Sequence, residues 1–230
     1  MARIFFVRHG QASFLKSNYD ELSALGHEQA ELLGNFLQSR GIEIDKVYSG
    51  DLVRQRQTAS GILKGLKINR RIIQLSGFDE HHGPEIVKPY HPDKFYLDQE
   101  IPQEHFEKFR RFFYGTYFKL AIPWIQGELD PNLVGHIEPW SAFIDRFRMA
   151  MEKVFTSMVK GENVIIATSG GPVGAAVGLA LGLDDENTLK LGWQVKNSSF
   201  TEFLYSKKRF SLVSFNETPH LIKAAHQTMV

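Results

Sequence analysis

Short apolar runs alternate with helix-period segments along this chain, and three of those runs stop at a polar loop containing glycine. Residues 3–8 (Arg-Ile-Phe-Phe-Val-Arg) favour a strand and end at His9-Gly10, so they read as a buried strand entering a loop. From Ser23 to Arg40, Leu25, Ala30, Leu33, Phe36 and Leu37 recur at helical spacing, and Gly41 supplies a stop. Residues 44–49 form the second expected strand, ending at Gly50-Asp51; the helix after it carries Ala59, Ile62, Leu63 and Leu66 on one face. Residues 70–75 are the third strand. Farther along, a helix is expected from Ser141 to Val159 and an apolar strand from Asn163 to Thr168. A small-residue helix follows, from Ser169-Gly170-Gly171-Pro172 to Leu181. Two last strands, near 199–205 and 210–215, read as a hairpin around Ser206-Lys207-Lys208-Arg209. Such alternation predicts an α/β fold: a three-layer α/β/α sandwich on a mostly parallel central sheet.

Residues 81–135 break the rhythm. Pro84, Pro89, Pro92 and Pro102 exclude a long regular element before Gln103, and a helix is expected from there to Leu120. The stretch 81–125 holds 11 of the chain's 28 Phe, Tyr and Trp residues, which is unlike a linker, since linkers are poor in aromatics. We expect one domain over residues 1–230 carrying an aromatic-rich helical insertion at about 81–135. Whether its aromatics line a substrate pocket, fill a core or make an interface stays open at this level, as does the oligomeric state.

Composition narrows the chemistry. The absence of cysteine removes disulfides, thiol nucleophiles and Cys-based metal sites. A formal net charge of +1 gives no footing for nucleic acid or an anionic membrane. The apolar stretch after Met1 is too short for a signal-peptide core, and no segment approaches the ~18 apolar residues of a membrane span. These features together favour a cytoplasmic protein.

In α/β sheets, ligands bind beyond the carboxyl ends of the strands. One strand end here carries Arg8-His9-Gly10-Gln11, and another carries Ser49-Gly50-Asp51, with Arg54 and Thr58 in the next helix. A third carries Ser169-Gly170-Gly171-Pro172 at a helix N-terminus, where free N–H groups favour an anion. Guanidinium forks match the oxygens of a phosphoryl group and stay charged at any working pH. A neutral histidine between them can act as a nucleophile, and a glycine beside it admits close approach. Each feature alone is common. Their placement at several strand ends points to a phosphate site.

Arg8-His9-Gly10 directly after the first strand resembles the signature of the histidine phosphatase (phosphoglycerate mutase-like) superfamily. Leu22-Ser23-x-x-Gly26-x-x-Gln29-Ala30 resembles its next block, and Tyr48-Ser49-Gly50-Asp51-Leu52-x-Arg54-x-x-x-Thr58-Ala59 the block with its second phosphate-binding arginine. Phe78-Asp79-Glu80 and Asn216-Glu217-x-x-His220-Leu221 resemble its acidic and closing segments. The resemblance covers roughly residues 1–80 and 140–221. It implies that His9 becomes phosphohistidine, that Arg8 and Arg54 clamp the phosphoryl oxygens, and that Glu80 serves as general acid and then base. His81 and His82 read as an ordinary exposed pair.

The family's second active-site histidine is expected where this chain has Ser169. A serine donates a hydrogen bond but brings no positive charge, and by analogy with a lost oxyanion-hole donor the cost is roughly 10²–10³ in rate. Ser169 and Gly170 are the expected phosphate contacts at this strand end. If the serine is a simple loss, Ser169→His should raise the rate. The resemblance thus implies a phosphomonoester hydrolase needing no metal or cofactor, acting on a phosphorylated small molecule or a phosphoprotein. The alternative is a pseudophosphatase that only binds a phosphorylated ligand or partner. Mutase-type phosphoryl transfer is less favoured, and a nucleotide-binding module is disfavoured because no glycine-rich nucleotide motif is present.

Overall fold

A computed structural model of the protein describes residues 1–12, 20–94, 103–207 and 209–229. Pro102 and Lys208, named above, lie outside the described residues. The strands are β1 (Ala2–Arg8), β2 (Lys46–Ser49), β3 (Ile72–Gln74), β4 (Asn163–Thr168), β5 (Phe200–Ser206) and β6 (Arg209–Glu217). They form one sheet in the order β3-β2-β4-β1-β5-β6. The β3/β2, β2/β4 and β4/β1 pairs are parallel, and β5 and β6 are added antiparallel. The helices are α1 (Ala24–Ser39), α2 (Val53–Leu66), α3 (Gly83–Val87), α4 (Gln103–Gln126), α5 (Pro131–Val134), α6 (Trp140–Ser157), α7 (Gly170–Leu181) and α8 (Asp185–Gly192).

β1 and β4 are the central strands, buried on both sides, which is why they read as unbroken apolar runs. Side chains alternate between the two faces of a strand. Phe5 and Val7 of β1 therefore pack with Ala30 and Leu33 of α1 and with Ala59 and Ile62 of α2. Phe6 turns the other way, edge-on to Phe78 and Phe203 and against Phe147 of α6. Helices thus cover both faces of the sheet. Ser23 caps α1 by accepting from the Gly26 N–H, a contribution of about 1 kcal/mol.

The chain divides into two compact units. Among the described residues, the first comprises 1–12, 20–80 and 146–229, and the second 81–94 and 103–145. Within the second unit the aromatics form a core: Phe113, Tyr117, Trp124, Trp140 and Phe143 are buried. His81 belongs to that core and not to an exposed pair. Its ring stacks on Tyr117 at 5.8 Å, and its Nε2 hydrogen-bonds the Tyr117 hydroxyl at 3.1 Å, while His82 is exposed. Among the described residues no helix is long and apolar enough to cross a membrane.

Candidate functional site

The parallel register sets Arg8 of β1 beside Thr168 of β4, so the chain leaves the sheet at neighbouring points through His9 and Ser169. The His9 N–H donates to the Thr168 carbonyl at 2.7 Å, and the Ser198 N–H donates to the Arg8 and His9 carbonyls at 3.1 and 3.2 Å. The Gly10 N–H donates to Thr58 Oγ1 at 3.1 Å. The Gln11 N–H donates to Gln29 Oε1 at 2.8 Å. A loop tied at each residue holds its side chain in one place. Gly10 is also required by packing: a Cβ there would run into the backbone carbonyl of Gly26.

His9 is 5% exposed. Its Nδ1 lies 2.8 Å from the Gly10 carbonyl, which can only accept, so Nδ1 carries the proton. In that tautomer Nε2 holds the lone pair, and it accepts from Arg54 Nε at 3.2 Å. Burial, then the guanidinium charges of Arg54 and Arg8, hold the imidazole well below its usual 6.5, against the raising effect of the Gly10 bond. The ring is therefore neutral near pH 7.

Arg54 projects from the first turn of α2. Its Nη1 pairs with Asp20 Oδ1 at 2.7 Å, and Asp20 Oδ2 accepts from the Val53 N–H at 2.8 Å. Arg8, the last residue of β1, donates through Nη1 to the Val195 carbonyl. The Thr58 hydroxyl donates to the Arg54 carbonyl at 2.7 Å. One helix therefore positions both the arginine and the Gly10 amide.

At the β4 end, Ser169 has no exposed surface. Its Oγ accepts from Gln55 Nε2 at 2.8 Å, and the same nitrogen donates to the Phe78 carbonyl at 3.1 Å. A carbonyl can only accept, so that amide atom is the NH₂ and Ser169 is its acceptor. Gly170 is buried, with the Gly192 carbonyl where a Cβ would point. The Gly171 N–H, in the first turn of α7, donates to both side-chain oxygens of Glu80 at 3.2 and 3.1 Å.

The structure thus gathers His9, Arg8 and Arg54 at one strand end, and Ser169, Gly170 and Glu80 at the next. Sequence reasoning missed Asp20, Gln55, Asn197 and Arg146. Asn197 donates to the His9 carbonyl through Nδ2 at 3.3 Å and accepts from the Thr228 hydroxyl. None of the four carries a local signal. Among the described residues no three His, Asp or Glu side chains gather as metal ligands.

The model of the histidine phosphatase superfamily (branch 1) matches residues 4–218. Over 210 residues the chain is 27% identical to phosphoglycerate mutase 1 of Saccharomyces cerevisiae, covering 83% of each protein. It is 45% identical to a broad-specificity phosphatase of the same yeast over 71 residues, which span 28% of this chain and only 31% of that one. Among solved structures, phosphoserine phosphatase from Entamoeba histolytica superposes with a TM-score of 0.64 at 17% identity, covering 96% of this chain and 100% of that chain. That likeness shows the shared fold.

Proposed function

The chain belongs to branch 1 of the histidine phosphatase superfamily, and on that premise we propose that it hydrolyses phosphomonoesters through a phosphohistidine on His9 Nε2. The observation that carries this reading is the fixed tautomer. Nδ1–H is spent on the Gly10 carbonyl, leaving the Nε2 lone pair directed at Arg54. In the reading, a substrate phosphoryl oxygen takes over the Arg54 Nε–H and releases that lone pair. Arg8 and Arg54 spread positive charge over the phosphoryl oxygens. The lone pair forms a P–N bond while the P–O bond to the leaving group breaks, and Glu80 gives its carboxyl proton to the departing oxygen. Water then attacks phosphorus and yields a proton to the Glu80 carboxylate. The P–N electron pair returns to Nε2, and inorganic phosphate leaves. The positive charge comes from the two arginines, so no step uses a metal ion.

Ser169 stands, in this reading, where the family's second histidine is expected. The charge it lacks lowers the rate without removing the nucleophile. Transfer to a second hydroxyl, as the resemblance to a phosphoglycerate mutase suggests, shares the first half-reaction and differs only in what attacks the phosphohistidine. The test is to incubate the protein with a phosphate-labelled aryl phosphate in EDTA, beside His9→Ala. We expect an acid-labile, base-stable phosphoenzyme and release of free phosphate, both lost in the variant. Equal hydrolysis by the two proteins would sink the assignment.

A further inference from the structure

The segment that delivers Glu80 is held in an unusual way. Arg146, in α6, donates through Nη1 to the carbonyls of Ser76, Gly77 and Asp79 at 3.1, 3.3 and 2.8 Å, and through Nη2 to the Glu80 carbonyl at 3.3 Å. Four carbonyl oxygens within five residues converge on one guanidinium. Carbonyl dipoles aimed at one point repel each other, and a planar cation with several forked donors reconciles them.

The backbone reinforces the same contact. A Cβ on Gly77 would overlap the Arg146 carbonyl and would lie 2.6 Å from Ala150 Cβ, so the segment rests directly on the helix. Phe78 between them is fully buried against Phe6 and Phe147. Its carbonyl accepts from the Thr168 hydroxyl and from Gln55 Nε2. At the far end the Glu80 carboxylate meets the Gly171 N–H.

We propose that Arg146 is the positioning residue of the reaction, fixing the backbone at Glu80 so that its carboxyl group stays where a leaving oxygen can take the proton. The proposal rests on the acid role given to Glu80 above. Catalytic groups must be held to within a few tenths of an ångström to act, and Glu80 ends a loop that few long-range backbone hydrogen bonds restrain. Lysine at this position keeps the charge, but its point-like ammonium cannot span four oxygens.

Leaving-group dependence separates positioning from mere structural support. A p-nitrophenolate departs with little help from a proton, whereas an alkoxide needs one. Single-turnover phosphoenzyme formation from p-nitrophenyl phosphate and from phenethyl phosphate is compared in the parent chain, Arg146→Met, Arg146→Lys and Glu80→Gln. Glu80→Gln should raise the aryl-to-alkyl rate ratio by about 10²-fold, the scale of general acid catalysis. Arg146→Met should raise it by about tenfold or more, with Arg146→Lys between it and the parent. If Arg146→Met does not fold, Arg146→Lys carries the same comparison. Equal slowing of both substrates by the Arg146 variants, beside a raised ratio in Glu80→Gln, overturns the positioning role and leaves the acid assignment intact. An unchanged ratio in Glu80→Gln overturns both.

Discussion

The ends of β1 and β4 lie side by side in the same parallel register, yet they are built for different work. At the first, the chain enters a loop whose successive amides are bound by Thr168, Thr58 and Gln29, and its side chain turns a lone pair toward Arg54. At the second, the chain passes straight into α7. Its side chain is sealed beneath Gln55, and its helix N-terminus is occupied by Glu80. The difference teaches that two neighbouring strand ends in one parallel register can present a side-chain lone pair at the first and a helix N-terminus at the second. The sealed serine belongs to the packing of that second end.

The largest effect that sharpens this contrast is the loss of an arginine against the loss of the serine. Arg54→Ala removes the donor on His9 Nε2 and, in the proposed reaction, half of the phosphoryl clamp, and should lower kcat/KM for p-nitrophenyl phosphate by about 10²–10³. Ser169→Ala removes a hydroxyl whose one side-chain partner among the described residues is Gln55, and should cost less than about tenfold. Losses of equal size would break the contrast, because both groups would then have to meet the phosphoryl oxygens.

A second test acts on the β4 end alone. Were the serine a bare gap, Ser169→His would raise activity. Gln55 stands 2.8 Å from Ser169 Oγ and both side chains are fully buried, so an imidazole overfills the site. Overpacking of this kind costs about 1–3 kcal/mol. The single variant should therefore lose activity, about tenfold, and lose thermal stability. Gln55→Ala with Ser169→His makes room, and should recover at least about tenfold over the single variant. A single variant more active than the parent chain would show that the glutamine yields freely.

Legibility in the sequence followed the range of the interactions. β1, α1 and β4 could be read because periodicity and caps act within a few residues, and His9 because its motif is contiguous. α8 was missed: it is eight mostly polar residues defined by an Asp184 cap. α4 was read six residues short: it runs on through Pro123 to Gln126, a continuation that local spacing and helix-breaker signals do not show. At the site, the arginines and Glu80 were found through local motifs. Gln55 and Arg146 were not, since their partners lie 114 and 66–70 residues away. That kind of pairing leaves no mark on local spacing.

The smallest expected effect concerns acid, which should act through the β1 end. Behind it, His220 Nε2 lies 3.4 Å from Ser198 Oγ, and Ser198 in turn holds the Arg8 and His9 carbonyls. The other nitrogen, Nδ1, is buried with no hydrogen-bond partner among the described residues, so a second proton there would be unsatisfied. Burial pushes the His220 pKa down from 6.5 to about 4, against the raising effect of a hydrogen bond with the Ser198 backbone. Because the folded value lies below the unfolded one, the unfolded chain binds more protons below pH 6.5. The stability held by the neutral ring is complete above pH 6.5 and is lost as pH falls toward 4. Between pH 7 and pH 5 this amounts to about 2 kcal/mol. The β4 end, with serine and glutamine at its centre, has no titrating group of that kind in its hydrogen-bonded pair. Urea unfolding at pH 7 and pH 5 should therefore show a smaller drop for His220→Gln than for the parent chain, while Gln55→Ala keeps the parent's drop. An equal pH dependence in the parent and His220→Gln would move the acid sensitivity elsewhere in the fold.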